Sequence, residues 1–283
     1  MRQRLCSSAQ GAAEARGPPR WREQWRLIER ARRRRTAPVD VMGCDRLGNR
    51  LAPARQFRLE TLVSGILSAQ TKDGANAAAV GRLQAACRAD GRGGQGVPGA
   101  GGALTPEWLL ATPQPALEAL LHGVSFHARK AGYLRGAAAA VAERHGGDVP
   151  ATAKELMALP GVGPKVAFLV LSAAWGKHEG VCVDTHVHRI SNRLGWTAPP
   201  HAQGRGRPAG AGAAGVVGAG VGAKTKSAEA TRKALEVWLP RELWWEANTL
   251  LVGFGQEVCS AVRPKCEVCP LADEGLCPEA PRR

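Results

Sequence analysis

The chain has 283 residues, which is long enough for about two domains and a substantial buried core. Its 39 Lys and Arg residues against 24 Asp and Glu give a net charge of +15, which suits a polyanionic partner such as nucleic acid and disfavours an acidic one. No run of about 18 apolar residues is present, so we expect neither a bilayer-spanning segment nor a membrane partner.

The N-terminal segment is strongly basic. Residues 1–35 contain eleven arginines and three glutamates. This composition is typical of a mitochondrial transit peptide or a nuclear import patch, and an untargeted basic tail explains it equally well. We expect residues 1–19 to form a disordered tail.

Helical periodicity recurs along the chain, whereas strand-like alternation is sparse. Apolar residues at Leu59, Leu62, Val63 and Ile66, for example, follow the spacing of one buried helix face. The pattern predicts an all-α fold. The expected helices are Trp21 to Arg35, Leu59 to Leu67, Ala116 to Leu121, Tyr133 to Arg144, 155–159, Val166 to Trp175, Thr185 to Leu194, Ser227 to Leu239 and Glu242 to Leu251.

Two segments lack core-forming residues. Gly91 to Gly102 and residues 198–222 consist largely of glycine, alanine, proline and arginine. Neither can bury enough apolar area to offset the entropy of ordering it, so both are predicted to be flexible loops.

The most informative segment is Leu159-Pro160-Gly161-Val162-Gly163-Pro164-Lys165. Proline and glycine end the preceding helix and predict a tight hairpin, after which Pro164 is well suited to the first position of an apolar helix. Free backbone N–H groups there could bind a phosphate, and the helix dipole favours a neutral, nucleophilic Lys165. A lysine that simply forms a salt bridge at a helix start is the alternative.

A carboxylate follows in Val183-Asp184-Thr185-His186. Asp184 precedes a predicted helix, so it is either an N-cap or a catalytic group, and both roles are compatible. Position 187 is valine rather than Glu or Gln, so no capping box supports a purely structural role. His186 and His188 are expected on the helix surface or in the core rather than as ligands.

Four of the eight cysteines are clustered near the C-terminus with the spacing Cys-x6-Cys-x2-Cys-x7-Cys. In a long chain with no apolar secretory segment this cluster indicates a metal site rather than disulfides. Zinc and an iron–sulfur cluster both suit four thiolates. The candidate ligands are Cys259, Cys266, Cys269 and Cys277.

These motifs together resemble the endonuclease III family of helix-hairpin-helix DNA glycosylases. The resemblance rests on the hairpin, on Lys165 and Asp184, on the cysteines, and on Trp21 to Asp40, Leu67 to Asp73, Val183 to Ile190, Leu239 to Trp244 and Leu251 to Gln256. It implies a six-helix barrel domain at residues 52–177, and an iron–sulfur cluster domain built from residues 20–51 and 178–283. The cofactor implied is a [4Fe-4S] cluster, although the spacing before Cys277 is two residues longer than the family pattern.

The resemblance also implies residue roles. Lys165 is the expected nucleophile and Asp184 the catalytic carboxylate. Gln70 and Phe126 are expected to fill the gap that a flipped base leaves, with a plain core role as the alternative for Phe126. The remaining DNA contacts are expected from the hairpin glycines and from the loop between the first two clustered cysteines: Gly161, Gly163, Arg263 and Lys265.

The expected activity is that of a bifunctional DNA N-glycosylase and AP lyase acting on oxidised pyrimidines. Its partner would be double-stranded DNA that contains such bases or abasic sites, bound by a monomer in the nucleus and mitochondrion. An adenine-specific mismatch glycosylase and a non-catalytic DNA-binding protein are the alternatives.

Overall fold

The computed structural model describes residues 17–91, 103–198 and 224–281. Within these ranges all regular secondary structure is helical, so the all-α prediction is confirmed. The N-terminal tail up to residue 16 and most of both predicted inserts lie outside the described residues. No helix in the described part of the chain is long and apolar enough to cross a membrane.

The chain divides into two compact units, and each is built separately. The first, which we call the hairpin unit, is Pro38–Glu179. Its helices are α2 (Pro38–Met42), α3 (Ala54–Ser68), α4 (Asp73–Ala89), α5 (Pro106–Ala111), α6 (Gln114–Leu120), α7 (His127–Arg144), α8 (Ala153–Met157) and α9 (Pro164–Trp175).

The core of the hairpin unit forms around α3 and α9, which pack against each other. Helix α9 is buried continuously from Val166 to Ser172, as its apolar sequence predicts. Gly65 of α3 lies against Val166, and a Cβ at Gly65 would approach the Val166 Cγ1 to 3.0 Å. The glycine therefore permits the two helices to approach closely at this point.

The second unit, which we call the cysteine unit, comprises Met1–Ala37 and Gly180–Arg283. Its described helices are α1 (Trp21–Ala31), α10 (Thr185–Arg193), α11 (Ala228–Glu236), α12 (Trp244–Glu257) and α13 (Pro270–Asp273), with short 3₁₀ turns at Arg241–Leu243 and Cys266–Val268. Four tryptophans pack in its core with ring centroids 5.0 to 6.1 Å apart: Trp21, Trp25, Trp196 and Trp238.

Buried polar groups tie the two chain ends of the cysteine unit together. Gln24 of α1 donates a hydrogen bond to the Leu276 carbonyl at 2.8 Å and accepts one from the Trp196 indole. Arg32 is 1% exposed and pairs with Glu257 of α12. These buried contacts fix the N-terminal helix to the C-terminal region of the unit.

The structure differs from the sequence predictions in the boundary between the two units and in the presence of one further helix. Residues 38–51 group with the hairpin unit, because α2 packs against α4, whereas the sequence reading placed them in the cluster domain. Helix α4 was not expected at all, since of its buried residues only Val80, Leu83 and Cys87 are strongly apolar.

Candidate DNA-repair active site and metal centre

The hairpin between α8 and α9 has the predicted turn chemistry. Thr152 caps α8 by accepting a hydrogen bond from the Glu155 N–H at 3.3 Å, and the Val162 N–H donates to the Leu159 carbonyl at 3.2 Å. Gly161 has a φ of +77°, the left-handed region that favours glycine, whereas Gly163 is extended and precedes Pro164 at the first position of α9.

Gly161 is also closely packed. A Cβ there would meet the Tyr133 ring at 2.7 Å, whereas a Cβ at Gly163 would have no heavy atom within 4 Å. The first glycine is therefore required by the fold, and the second leaves its backbone open. Both residues are exposed, so the backbone N–H groups of the hairpin remain accessible to an anion.

Lys165 occupies the first turn of α9 and is half-buried. Its Nζ donates a hydrogen bond to the Ser68 Oγ at 2.7 Å and lies 3.8 Å from the Cys44 Sγ. The Ser68 hydroxyl donates in turn to the Gly65 carbonyl at 2.7 Å. The amine is thus held at a defined position by the end of α3, which an ordinary surface salt bridge would not achieve.

Acidic groups lie around this amine as well. Burial raises the pKa of Asp45, and the charge on Lys165 opposes that rise. Burial likewise raises the pKa of the Cys44 thiol, with Lys165 opposing and Asp45 and Asp73 reinforcing the rise. Cys44 and Asp45 therefore both lie within electrostatic range of the Lys165 amine. The sequence reading identified neither of them as part of the site around Lys165.

The two residues proposed to fill a DNA gap share an uncommon backbone conformation. Gln70 has a φ of +51° and Phe126 a φ of +58°, the left-handed region that non-glycine residues rarely adopt. Both side chains are exposed, Phe126 to 57%, so the alternative of a core phenylalanine is wrong. The Phe126 ring carries the Arg129 guanidinium at 5.6 Å from its centroid.

Asp184 is the N-cap of α10. Its Oδ1 accepts hydrogen bonds from the N–H groups of His186 and Val187, both at 2.8 Å. Asp184 therefore caps the helix through Oδ1. Its other carboxylate oxygen takes part in neither of these two bonds. His186 lies beside Arg189 and His188 beside Thr231, and both histidines are half-buried in helix contacts.

The four clustered cysteines line one cavity of about 100 Å³ in the cysteine unit, together with apolar side chains of α10 and α12. All four are free thiols. Four thiolates suit zinc as well as iron, and a cavity of this size has room for a polynuclear cluster. The donor set thus fits an iron–sulfur cluster held by Cys259, Cys266, Cys269 and Cys277. These sulfurs line the cavity without being drawn together around one point, since no group of three or more His, Cys, Asp or Glu side chains in the described ranges is arranged to hold a single metal ion.

The longer spacing before Cys277 is accommodated by a short helix. Helix α13 follows Cys269 directly and ends at Asp273, and the turn after it contains Gly275, which has a φ of +61°. The Leu271 carbonyl then accepts hydrogen bonds from the N–H groups of Leu276 and Cys277 at 2.8 and 3.1 Å. This turn leads the chain back to the cavity, so Cys277 lines it despite the extra residues.

Two arginines of α10 support the loop that starts at Cys259. Arg193 donates to the Cys259 Sγ at 3.2 Å and to the Ser260 carbonyl at 2.7 Å, and Arg189 donates to the Cys259 carbonyl at 2.7 Å. The same loop carries Arg263 and Lys265, which are both exposed. Helix α10 therefore links two parts of the unit: its C-terminal half contacts the loop that starts at Cys259, and its N-terminus is capped by Asp184.

Sequence reasoning also missed Lys130. This lysine of α7 is only 4% exposed, and its Nζ contacts the loop that carries Gln70. A signal was present in the sequence, since Lys130 falls on the same helix face as Ala131, Leu134 and Val141.

Comparison with known proteins agrees with this geometry. Residues 63–205 match the model of the HhH-GPD superfamily base excision DNA repair proteins. Residues 259–274 match the iron–sulfur binding domain of endonuclease III, which confirms the iron–sulfur cofactor that the family resemblance implied, although Cys277 lies beyond the matched range.

Among curated relatives, the chain is 41% identical over 263 residues to "Endonuclease III-like protein 1" of Bos taurus, which covers 93% of this chain and 72% of the relative. It is 40% identical over 263 residues to "Endonuclease III homolog 1, chloroplastic" of Arabidopsis thaliana, covering 93% of this chain and 60% of that relative. The chain thus spans less than two thirds of the plant protein's length.

Among solved structures, a trapped endonuclease III–DNA covalent intermediate superimposes with a TM-score of 0.64 at 27% identity, covering 92% of this chain and 96% of that one. A non-covalent endonuclease III–DNA complex superimposes with a TM-score of 0.63 at the same identity, covering 93% and 97%. The chain belongs to the endonuclease III family of HhH-GPD base excision repair DNA glycosylases.

Proposed function

We propose that the protein is a bifunctional DNA N-glycosylase with AP lyase activity, which removes oxidised pyrimidines from double-stranded DNA. The observation that carries the proposal is the position of Lys165: a half-buried amine at the start of α9, directly after the hairpin and fixed by the Ser68 hydroxyl. A primary amine in this position can act as the nucleophile. A glycosylase that activates water as its nucleophile does not need such an amine.

The chemistry follows from the two functional groups. The neutral Lys165 amine attacks C1′ of the flipped nucleotide, the N-glycosidic bond breaks, and the base leaves with the bonding electrons and takes up a proton. The amine then loses a proton, the C1′–O4′ bond breaks as O4′ takes up a proton, and the opened sugar is held as a protonated Schiff base. Loss of a C2′ proton breaks the C3′–O bond and expels the 3′ phosphate, and water finally releases Lys165.

Asp184 is the proposed carboxylate in this scheme. Its negative charge would stabilise the cation that develops at the sugar and would accept a proton from the attacking amine. The cap geometry supports this assignment, because one carboxylate oxygen is fixed by two backbone N–H groups and the side chain therefore has a defined orientation.

Gln70 and Phe126 are proposed to fill the space that the flipped nucleotide leaves in the duplex, which otherwise costs a few kcal/mol. Their exposure and their shared left-handed backbone conformation support this role, since such strain is characteristic of functional positions. The N–H groups around Gly161 and Gly163, with Arg263 and Lys265, are proposed to contact phosphates.

The iron–sulfur cluster, when bound, supplies a covalent cross-link that holds its loop in one conformation. The chain's own contribution is the bracing of Cys259 by Arg189 and Arg193, which keeps Arg263 and Lys265 on an ordered loop. We assign the cluster no step in the reaction.

Two other activities remain candidates. An adenine-specific mismatch glycosylase would share the hairpin and the cysteines but would not need an amine at position 165. A non-catalytic DNA-binding protein would need the hairpin alone. The placement of Lys165 against Ser68 favours the bifunctional enzyme over both.

The experiment compares three duplexes under single turnover: one with thymine glycol, one with adenine opposite 8-oxoguanine, and one undamaged. We expect base release and strand incision at thymine glycol to occur at comparable rates without alkali. Incision only after alkali, or preference for the adenine mismatch, would contradict the proposal. Binding to all three duplexes with no base release would identify a non-catalytic module.

We also infer that the protein acts as a monomer in the nucleus and mitochondrion. The basic composition of residues 1–35 supports this location. Fusing residues 1–35 to a fluorescent protein tests it, and retention of the fusion in the cytosol would contradict the inference.

A further inference from the structure

A buried lysine connects the two turns that carry Gln70 and Phe126. Lys130 lies in the first turns of α7, just after Phe126, and its side chain is 4% exposed. Its Nζ donates hydrogen bonds to the Leu67 carbonyl at 2.8 Å, the Ala69 carbonyl at 2.6 Å and the Thr71 Oγ1 at 2.9 Å.

These three bonds use the full donor capacity of an ammonium group. Two of the acceptors are carbonyls at the C-terminal end of α3, where helical carbonyls lack intrahelical partners and the helix dipole favours a cation. Lys130 therefore caps α3 from a neighbouring helix. A neutral or shorter side chain would leave buried carbonyls unsatisfied, which costs more than the bonds themselves contribute.

Through these bonds Lys130 also holds the loop that presents Gln70. It is short, running from Ala69 to Lys72 between α3 and α4, and Lys130 contacts residues on both sides of Gln70. A glutamine at a φ of +51° is strained and persists only where its surroundings determine it. The backbone N–H of Lys130 also donates to the Phe126 carbonyl at 3.0 Å, so the same residue takes part in the first turn after Phe126.

We propose that Lys130 is a positioning residue for base flipping, which holds the Ala69–Lys72 loop so that Gln70 enters the gap in the duplex. The proposal rests on the proposed function, and it places Lys130 outside the reacting atoms. The nucleotide substrate would meet Gln70, while Lys130 acts from beneath the loop.

The test uses two DNA substrates, one that requires a gap in the duplex to be filled and one that does not. In a duplex with thymine glycol a partner base is orphaned when the lesion flips, whereas a single strand with an abasic site has no such gap. We expect Lys130→Met to lower the single-turnover rate on the duplex at least about tenfold, as a small misplacement of a positioned group does. The rate on the single strand should stay within about threefold of wild type.

A double-mutant cycle with Gln70→Ala shows whether Lys130 acts through Gln70. We expect Gln70→Ala and the Lys130→Met/Gln70→Ala double variant to have duplex rates within about twofold of each other. Arg144→Met removes an exposed cation from the far end of the same helix and should leave both rates unchanged. If Lys130→Met proves poorly folded, Thr71→Val removes a single acceptor and should give a smaller loss with the same non-additivity.

Equal loss on both substrates, additive effects with Gln70→Ala, or an unchanged duplex rate would each overturn the proposal. Failure of the proposed function itself is distinguishable, because the wild-type protein would then process neither substrate.

Discussion

Replacement of Gly161 by alanine should destabilise the protein through two separate effects. A left-handed backbone costs a non-glycine residue about 1–2 kcal/mol. The new Cβ would also lie 2.7 Å from the Tyr133 ring, and such overpacking costs about 1–3 kcal/mol. We therefore expect a total loss of about 2–5 kcal/mol, which at about 2–4 °C per kcal/mol lowers Tm by about 4–20 °C.

Gly163→Ala is the matched control. It adds the same methyl group to the same hairpin, two residues away, where φ is −102° and no heavy atom lies within 4 Å of the new Cβ. Its cost should stay below about 1 kcal/mol, because only a helix N-cap glycine is replaced. Differential scanning calorimetry of both variants measures the difference.

Tyr133→Ala separates the two effects. In that background the ring is gone and only the Cβ of residue 133, at 3.0 Å, remains close, so Gly161→Ala should cost little more than the left-handed backbone energy of about 1–2 kcal/mol. Equal melting temperatures for Gly161→Ala and Gly163→Ala would refute this account of the hairpin, and an unchanged cost of Gly161→Ala in the Tyr133→Ala background would refute the packing part alone.

Three other predictions concern the metal centre, the carboxylate and the buried lysine. Cys277→Ala should lower both the iron content and the Tm more than Cys87→Ala does, because only Cys277 lines the metal cavity; equal effects would exclude it as a ligand. Asp184→Asn keeps an oxygen for the cap but loses the charge. The excision rate should therefore fall about 10²–10⁴-fold with little change in Tm. A large drop in Tm with a normal excision rate would instead show that Asp184 serves only as the helix cap. Burial, with the charge on Lys165 adding to it, lowers the pKa of Lys130 from 10.5 to about 8. Between these values the unfolded chain keeps a proton that the native state has lost. The free energy of unfolding of wild type should therefore rise by up to about 3 kcal/mol relative to that of Lys130→Met as pH rises from 7 to 10.5. A parallel pH dependence of the two proteins would contradict this.

The sequence predicted the parts of the molecule that depend on local chemistry. The hairpin follows from Pro160, Gly161 and Gly163, and α9 follows from an apolar run after Pro164, because turn and helix signals act over a few residues. The capping of α10 by Asp184 was readable for the same reason.

The parts that were missed depend on contacts between distant segments. Ser68 reaches Lys165 because α3 and α9 pack closely at Gly65, and Cys44 reaches it from the segment before α3; no local pattern encodes either approach. Lys130 was missed because its three acceptors lie in another helix and loop, although its place on an apolar helix face was a usable signal.

The path to Cys277 required a different kind of information. Its spacing departs from the family pattern, and the sequence offered only the argument that a longer loop can bulge outward. The structure instead forms the short helix α13 and a left-handed turn at Gly275, which return the chain to the cavity. This outcome depends on the Leu271 carbonyl and on the buried Gln24, which lies at the opposite end of the chain.

Borohydride trapping tests the central claim, that Lys165 is the nucleophile, most directly. The protein is incubated with a duplex that contains an abasic site, reduced with borohydride, digested with protease and analysed by mass spectrometry. We predict one DNA-linked peptide, with the adduct on Lys165, and no trapped complex with Lys165→Gln although that variant still binds the duplex. Trapping by Lys165→Gln at the wild-type level, or an adduct on another residue, would contradict the account.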